Sequence, residues 1–177
     1  MAEIKAIVYE SNTGFTKEYA ELLSGIIKVP AIPTIDNSMI FGEREPVIFL
    51  GWICAGKING LRLAVLKYNP IIIAGVGMTP MSDVYAFALA QQNNIDVPFY
   101  YLQGGIHRER LKGFYKMMFK LVANPILRKA DKDKSQLTEN DLQMVNLIKN
   151  GGSFVKPENL DEIVKKYEEI SNLMKMS

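Results

Sequence analysis

Three hydroxyls and an amide crowd around one glycine in the segment Ser11-Asn12-Thr13-Gly14-Phe15-Thr16, which follows a strand-like run and opens into a helical pattern. Such a loop suits a phosphate, because the unpaired N–H groups at a helix start point at an anion and the side chains add hydrogen bonds. Phe15, not a lysine, follows the glycine, which argues against a nucleoside-triphosphate loop, where an amine must reach the outer phosphates. A phosphate monoester is the better fit. The plainer alternative is that Ser11 or Thr13 caps the first helix and the rest is ordinary loop.

The elements that must position this loop are legible as alternating patterns. Lys5 to Tyr9, Val47 to Leu50, Ile71 to Val76 and Phe99 to Leu102 are short apolar or aromatic runs, as expected of strands buried on both faces. A short strand near Ala31 to Ile35, flanked by Pro30 and containing Pro33, suits a sheet edge. Between the strands, Phe15, Tyr19, Leu22, Leu23 and Ile26 repeat at helical spacing. Met81, Val84, Tyr85, Ala88 and Leu89 do the same, behind a start signal of Thr79 and Pro80. Leu61, Val65 and Tyr68 make a weaker stripe, and Pro157 announces a last helix carried by Leu160, Ile163, Val164, Tyr167 and Ile170. The expected fold is an α/β three-layer arrangement with a five-stranded parallel sheet in the order 2-1-3-4-5 and right-handed crossovers. In such a sheet the ligand crevice lies beyond the strand ends where the order reverses, so the loops after Glu10 and Leu50 should meet.

Residues Gly104 to Ser153 fall outside the alternation and read as a helical insertion after the fifth strand. They hold a basic, methionine-rich stretch from Arg108 to Ala123, a charged link around Asp131 to Lys134 and a short helix from Glu139 to Lys149. The chain of 177 residues, 48% hydrophobic and 23% charged, suits a single domain, 1–177. The lone Cys54 excludes an internal disulfide framework and a cysteine metal cage, and no metal site is expected. With no signal-peptide pattern and no membrane-length apolar run, a cytoplasmic location is expected. A net charge of +2 does not imply a nucleic-acid partner.

The run Ile4-Lys5-Ala6-Ile7-Val8-Tyr9-Glu10-Ser11-Asn12-Thr13-Gly14-Phe15-Thr16-Lys17 closely resembles the opening of flavodoxins, whose strand, Thr-Gly-x-Thr loop and helix bind the phosphate of flavin mononucleotide (FMN). The resemblance implies a flavodoxin-like fold, FMN as cofactor, and phosphate contacts from Ser11, Asn12, Thr13, Gly14, Phe15 and Thr16. It also implies that the flavin ring sits between the loops after the third and fourth strands. These contain Trp52, Ile53, Cys54, Ala55, Gly56 and Lys57, and Gly75, Val76, Gly77 and Met78. Glycines there let backbone amides approach the ring edge and tune its potential, Gly56 foremost. The aromatic that often stacks on the flavin in relatives is replaced by Cys54. Trp52 is a candidate face, or simple rim packing. Cys54 is a thiol beside the ring or a small hydrophobe in a tight loop. His107 is the one catalytic candidate, a proton donor near a bound substrate or a solvated residue in a basic run.

From Arg108 to Val122 basic residues alternate with Leu111, Phe114, Tyr115, Met117, Met118, Phe119, Leu121 and Val122. Such a helix either folds onto the sheet edge or makes a peripheral membrane contact, since lysine stems snorkel while the apolar side inserts. The segment is similar to the insertion of menaquinone-dependent protoporphyrinogen oxidases, which are flavodoxin-fold enzymes. That likeness implies an oxidoreductase passing electrons from an organic substrate to a quinone-like acceptor. An electron carrier docking on a redox partner protein is the alternative, although a pI near 8.5 lacks the acidic docking charge of such carriers. A flavin-free regulatory module is the third. A phosphorylated receiver of that kind needs clustered acids, and Glu10 is the only acid at the end of the first strand.

Overall fold

In the computed structural model, residues 3–35, 44–111, 113–132 and 137–176 are described. Lys112 and the link residues 133–136 lie outside them, as do the side chains of Arg108, Phe114, Tyr115, Met118 and Val122. The strands are β1 (Ala6–Glu10), β2 (Ala31–Pro33), β3 (Pro46–Cys54), β4 (Lys57–Ile58), β5 (Asn69–Gly77), β6 (Phe99–Gln103), β7 (Gly105–Ile106) and β8 (Gly152–Ser153). The helices are α1 (Phe15–Ile27), α2 (Leu61–Lys67), α3 (Asp83–Gln92), α4 (Gly113–Lys132), α5 (Glu139–Asn150) and α6 (Asp161–Met176).

The architecture is α/β, a mostly parallel central sheet with helices on both sides, compatible with a Rossmann-like or flavodoxin-like fold. The expected five strands in the order 2-1-3-4-5 need correction. The sheet has six strands, ordered β2-β1-β3-β5-β6 with β4 paired to β3. The extra strand has a local cause. Ala55 and Gly56 take φ values of 48° and 75°, so they form a two-residue turn that folds β4 antiparallel onto the end of β3, Cys54 opposite Lys57. β1, β2, β3, β5 and β6 are mutually parallel where they pair, with Val8 opposite both Ile32 and Phe49.

Because successive strand residues point to opposite faces, one short run feeds two cores. Ile7, Ile48, Leu50, Ile72, Ala74 and Val76 pack beneath α1 and α6 with Phe15, Tyr19, Leu23, Leu160 and Ile163. Ala6, Val8, Val47, Phe49 and Ile73 face the other way, under Leu61 and Ala64 of α2. The expected stripe of α2 is met at Leu61 and Tyr68 but not at Val65, which is 46% exposed. In α3 the difference is larger. Ser82, not Thr79, is the N-cap, its Oγ accepting from the Tyr85 N–H at 3.4 Å. The inner face is therefore Tyr85, Ala86, Leu89 and Ala90, and Met81, Val84 and Ala88 face solvent.

The excursion beyond β6 begins and ends at one place: β7 pairs antiparallel with β8, Gly105 opposite Ser153 and Ile106 opposite Gly152. Between them the basic stretch forms a 3-10 turn, Arg108–Arg110, and then α4, which continues past the expected end at Ala123 and through Pro125. A capping box at Thr138 and Asp141 starts α5. α4 and α5 share a small core of Ile106, Ala123, Leu147 and Ile148.

A buried phenol fastens this excursion to the sheet. The Tyr19 hydroxyl donates to the Gln103 carbonyl at 2.7 Å and accepts from Asn159 Nδ2 at 2.6 Å, while the same amide donates to the Phe154 carbonyl at 2.8 Å. Burial pushes the Tyr19 pKa up, with the Asn159 hydrogen bond opposing it. Tyr19→Phe leaves the buried Gln103 carbonyl without the phenol's hydrogen bond and removes one partner of the half-buried Asn159 amide, and is expected to lower stability by about 1–3 kcal/mol, read as a shifted urea midpoint at unchanged slope.

Candidate functional site

Each loop at the carboxyl end of the parallel strands is shaped by a specific backbone device. After β1 the chain turns through Gly14, φ 110°, which is the N-cap of α1 and supplies no side-chain cap. Ser11 takes part of that work, its Oγ accepting from the Lys17 N–H at 3.3 Å. After β3 comes the Ala55-Gly56 turn, pinned from α3 by Asn93, whose Nδ2 donates to the Gly56 carbonyl at 2.9 Å. After β5 the chain is held by Tyr101, whose hydroxyl donates to the Thr79 carbonyl at 2.6 Å. Burial raises the Tyr101 pKa well above its usual value, and Tyr85 packs edge-on against its ring at a centroid distance of 5.3 Å.

These loops enclose a cleft of about 290 Å³, close to the lower bound of about 300 Å³ for ligand pockets. Of the expected cofactor residues, Asn12, Thr13, Phe15, Thr16, Trp52, Ile53, Cys54, Ala55, Gly56, Val76, Gly77 and Met78 line it. Four others do not. The Ser11 hydroxyl is engaged with the Lys17 N–H. Gly14 has no side chain to offer, and the space a Cβ would take is occupied by the Arg110 guanidinium. Lys57 is exposed and donates its ammonium to the Gln92 carbonyl at 3.2 Å. Gly75 is buried in the sheet, where an added Cβ would come within 2.9 Å of Ile53 and 3.1 Å of Phe99.

The polar end of the cleft is at the start of α1. Thr16 is 2% exposed yet lines the cleft, and its side chain makes no hydrogen bond to another described residue. The apolar part of the lining comes largely from the excursion, through Ile106, Leu111 and Phe119, and Gly104, Gly105, His107, Thr79 and Tyr85 complete it. His107 stacks on Phe15, ring centroids 4.4 Å apart and planes 3° from parallel, and its Nδ1 lies 3.4 Å from Glu109 Oε1. One imidazole face is therefore covered by Phe15. Cys54 is a free thiol on the wall of the cleft, and Trp52 is fixed through its carbonyl, which accepts from the Asn59 N–H at 2.9 Å.

The residues that pattern reading missed are Tyr85, Gly104, Gly105, Ile106, Leu111 and Phe119. Gly104-Gly105 was visible as a turn. Its packing role was not: a Cβ on Gly104 would meet Phe15 at 3.2 Å, and one on Gly105 would meet it at 2.9 Å. Among the described residues no cluster of His, Cys, Asp or Glu could hold a metal ion, and no helix is long and apolar enough to cross a membrane.

These features define an open, mostly parallel α/β protein with a ligand-sized cleft at the carboxyl edge of its sheet. No family model and no curated protein matches the chain.

Ala55 holds a left-handed backbone, φ 48°, at the rim of this cleft, a conformation that disfavours a Cβ. Asn-Gly is the favoured pair in such a turn, so Ala55→Asn is expected to stabilise the protein by about 0.5–1 kcal/mol, measured by denaturant unfolding.

Proposed function

We propose that the cleft binds FMN and that the protein is a flavodoxin-like oxidoreductase, passing electrons from an organic substrate to a quinone-like acceptor. The observation that carries this reading is the continuity of one cleft from the hydroxyl-bearing start of α1 to the loops after β3 and β5. Open α/β sheets bind nucleotides beyond the carboxyl ends of their strands, with an anionic group at a helix N-terminus.

In this reading Asn12, Thr13, Phe15 and Thr16 hold the phosphate end, and Trp52 to Gly56 with Val76 to Met78 flank the ring. FMN, when bound, supplies the redox chemistry there. The chain's own contribution is orientation and exclusion of water. The tight Ala55-Gly56 turn presents backbone rather than side chain to the cleft, and Asn93 and Tyr101 fix the two loops from behind. His107 is held flat against Phe15, a position from which its imidazole can exchange a proton with a bound substrate. The apolar wall of Ile106, Leu111 and Phe119 favours an enzyme over a simple carrier, because it extends the cleft towards a second, apolar reactant. The outer side of α4 exposes Met117 and Leu121 beside Lys116 and Lys120, which suits peripheral contact with an anionic membrane.

Purified protein is expected to be yellow, or to become so with FMN, and to bleach on chemical reduction. Thr16→Val, which keeps shape and removes one hydroxyl, is expected to weaken FMN binding about tenfold, since a hydrogen bond to a charged group is worth about 1.5–3 kcal/mol. Protein that stays colourless after incubation with FMN contradicts the reading. Turnover with a quinone acceptor supports the enzyme, whereas its absence together with rapid exchange with a flavoprotein reductase supports the carrier.

A further inference from the structure

Arg110 stands in an electrostatically odd place. It belongs to the 3-10 turn at the start of the excursion, yet its Nη1 donates to the Thr13 carbonyl at 3.0 Å, 97 residues earlier in sequence. The guanidinium lies so close over Gly14 that a Cβ there would come within 2.6 Å of Nη1. A helix N-terminus carries a partial positive charge, and Arg110, exposed and held there by the Thr13 carbonyl, adds a formal one, so the pair favours an anion bound between them.

Among the described residues no carboxylate forms an ion pair with Arg110. Its neighbour Glu109 is directed at His107, and Lys17, the basic residue just inside α1, is paired with Glu21 at 3.5 Å. The loop from Ser11 to Thr16 itself contains no formal positive charge. Thr16, 2% exposed as a residue, also lines the cleft, and its hydroxyl has no hydrogen-bond partner among the described residues.

We propose that Arg110 is the counter-charge for the phosphate group of the bound flavin and sets the preference for the phosphorylated over the unphosphorylated form. This rests on the flavin reading and adds what that reading lacks, a formal cation at the phosphate. Arginine suits the task because its planar fork can give two hydrogen bonds to one phosphate. The residue also joins two parts of the molecule. Phosphate held between α1 and Arg110 braces the excursion that carries His107, Leu111 and Phe119 into the cleft.

The test is to titrate the wild-type chain, Arg110→Gln and Arg110→Lys with FMN and with riboflavin at several salt concentrations, reading flavin fluorescence, with melting temperatures of all three proteins. Arg110→Gln is expected to weaken FMN about tenfold or more while riboflavin affinity stays within about twofold. It should also flatten the salt dependence of FMN binding, and Arg110→Lys should recover part of the loss. An unchanged ratio of FMN to riboflavin affinity in Arg110→Gln overturns the proposal and leaves the flavin reading standing. Equal weakening of both flavins with a lowered melting temperature overturns it too, because it assigns Arg110 a structural role. If the wild-type chain binds neither flavin, the flavin reading fails and the role of Arg110 fails with it.

Discussion

The ring of Phe15 is the contact on which the site depends. It is 4% exposed at the first position of α1, packed into the larger core, and still forms part of the cleft wall. His107 lies flat against it, and Gly104 and Gly105 pass so close that neither could carry a side chain without displacing something. This close approach requires the end of β6 to meet the start of α1, and that meeting brings the excursion over the cleft. Tyr19, one turn further along α1, locks the same junction through Gln103, Phe154 and Asn159.

Given that junction, the rest of the site follows from strand geometry. Parallel strands deliver their loops to one edge, and each loop is fixed by a side chain from a neighbouring element rather than by its own residues. Asn93 of the loop after α3 fixes the turn after β3, Tyr101 of β6 fixes the loop after β5, and Arg110 touches the loop after β1. Asn93 and Tyr101 thus preorganise the cleft without lining it. Its lining is mixed, with hydroxyls and an amide from the residues around the start of α1 and aliphatic and aromatic side chains from the excursion.

Much of this was legible in the sequence for a simple reason. Buried parallel strands are continuous apolar runs, and a glycine among hydroxyls before a helical stripe marks a strand-to-helix turn, so the positions of β1, its loop and α1 could be read directly. The hairpin at Ala55-Gly56 escaped because alanine is an unusual residue for a left-handed turn, and without that turn β4 has no reason to exist. The inner face of α3 was misjudged because the helix is apolar nearly all round, so its sequence does not mark which face packs on the sheet. Leu111 and Phe119 could not have been placed at the cleft, nor Arg110 against the Thr13 carbonyl, from local pattern. Their position depends on the β7–β8 pairing across the whole excursion, a contact between residues far apart in sequence.

The most direct test of the account is a backbone amide NMR titration of the full chain with FMN. Saturable shifts concentrated in Asn12 to Thr16, Trp52 to Gly56 and Val76 to Thr79 are the predicted result. An absence of shifts, or shifts gathered on another face of the sheet, contradicts it.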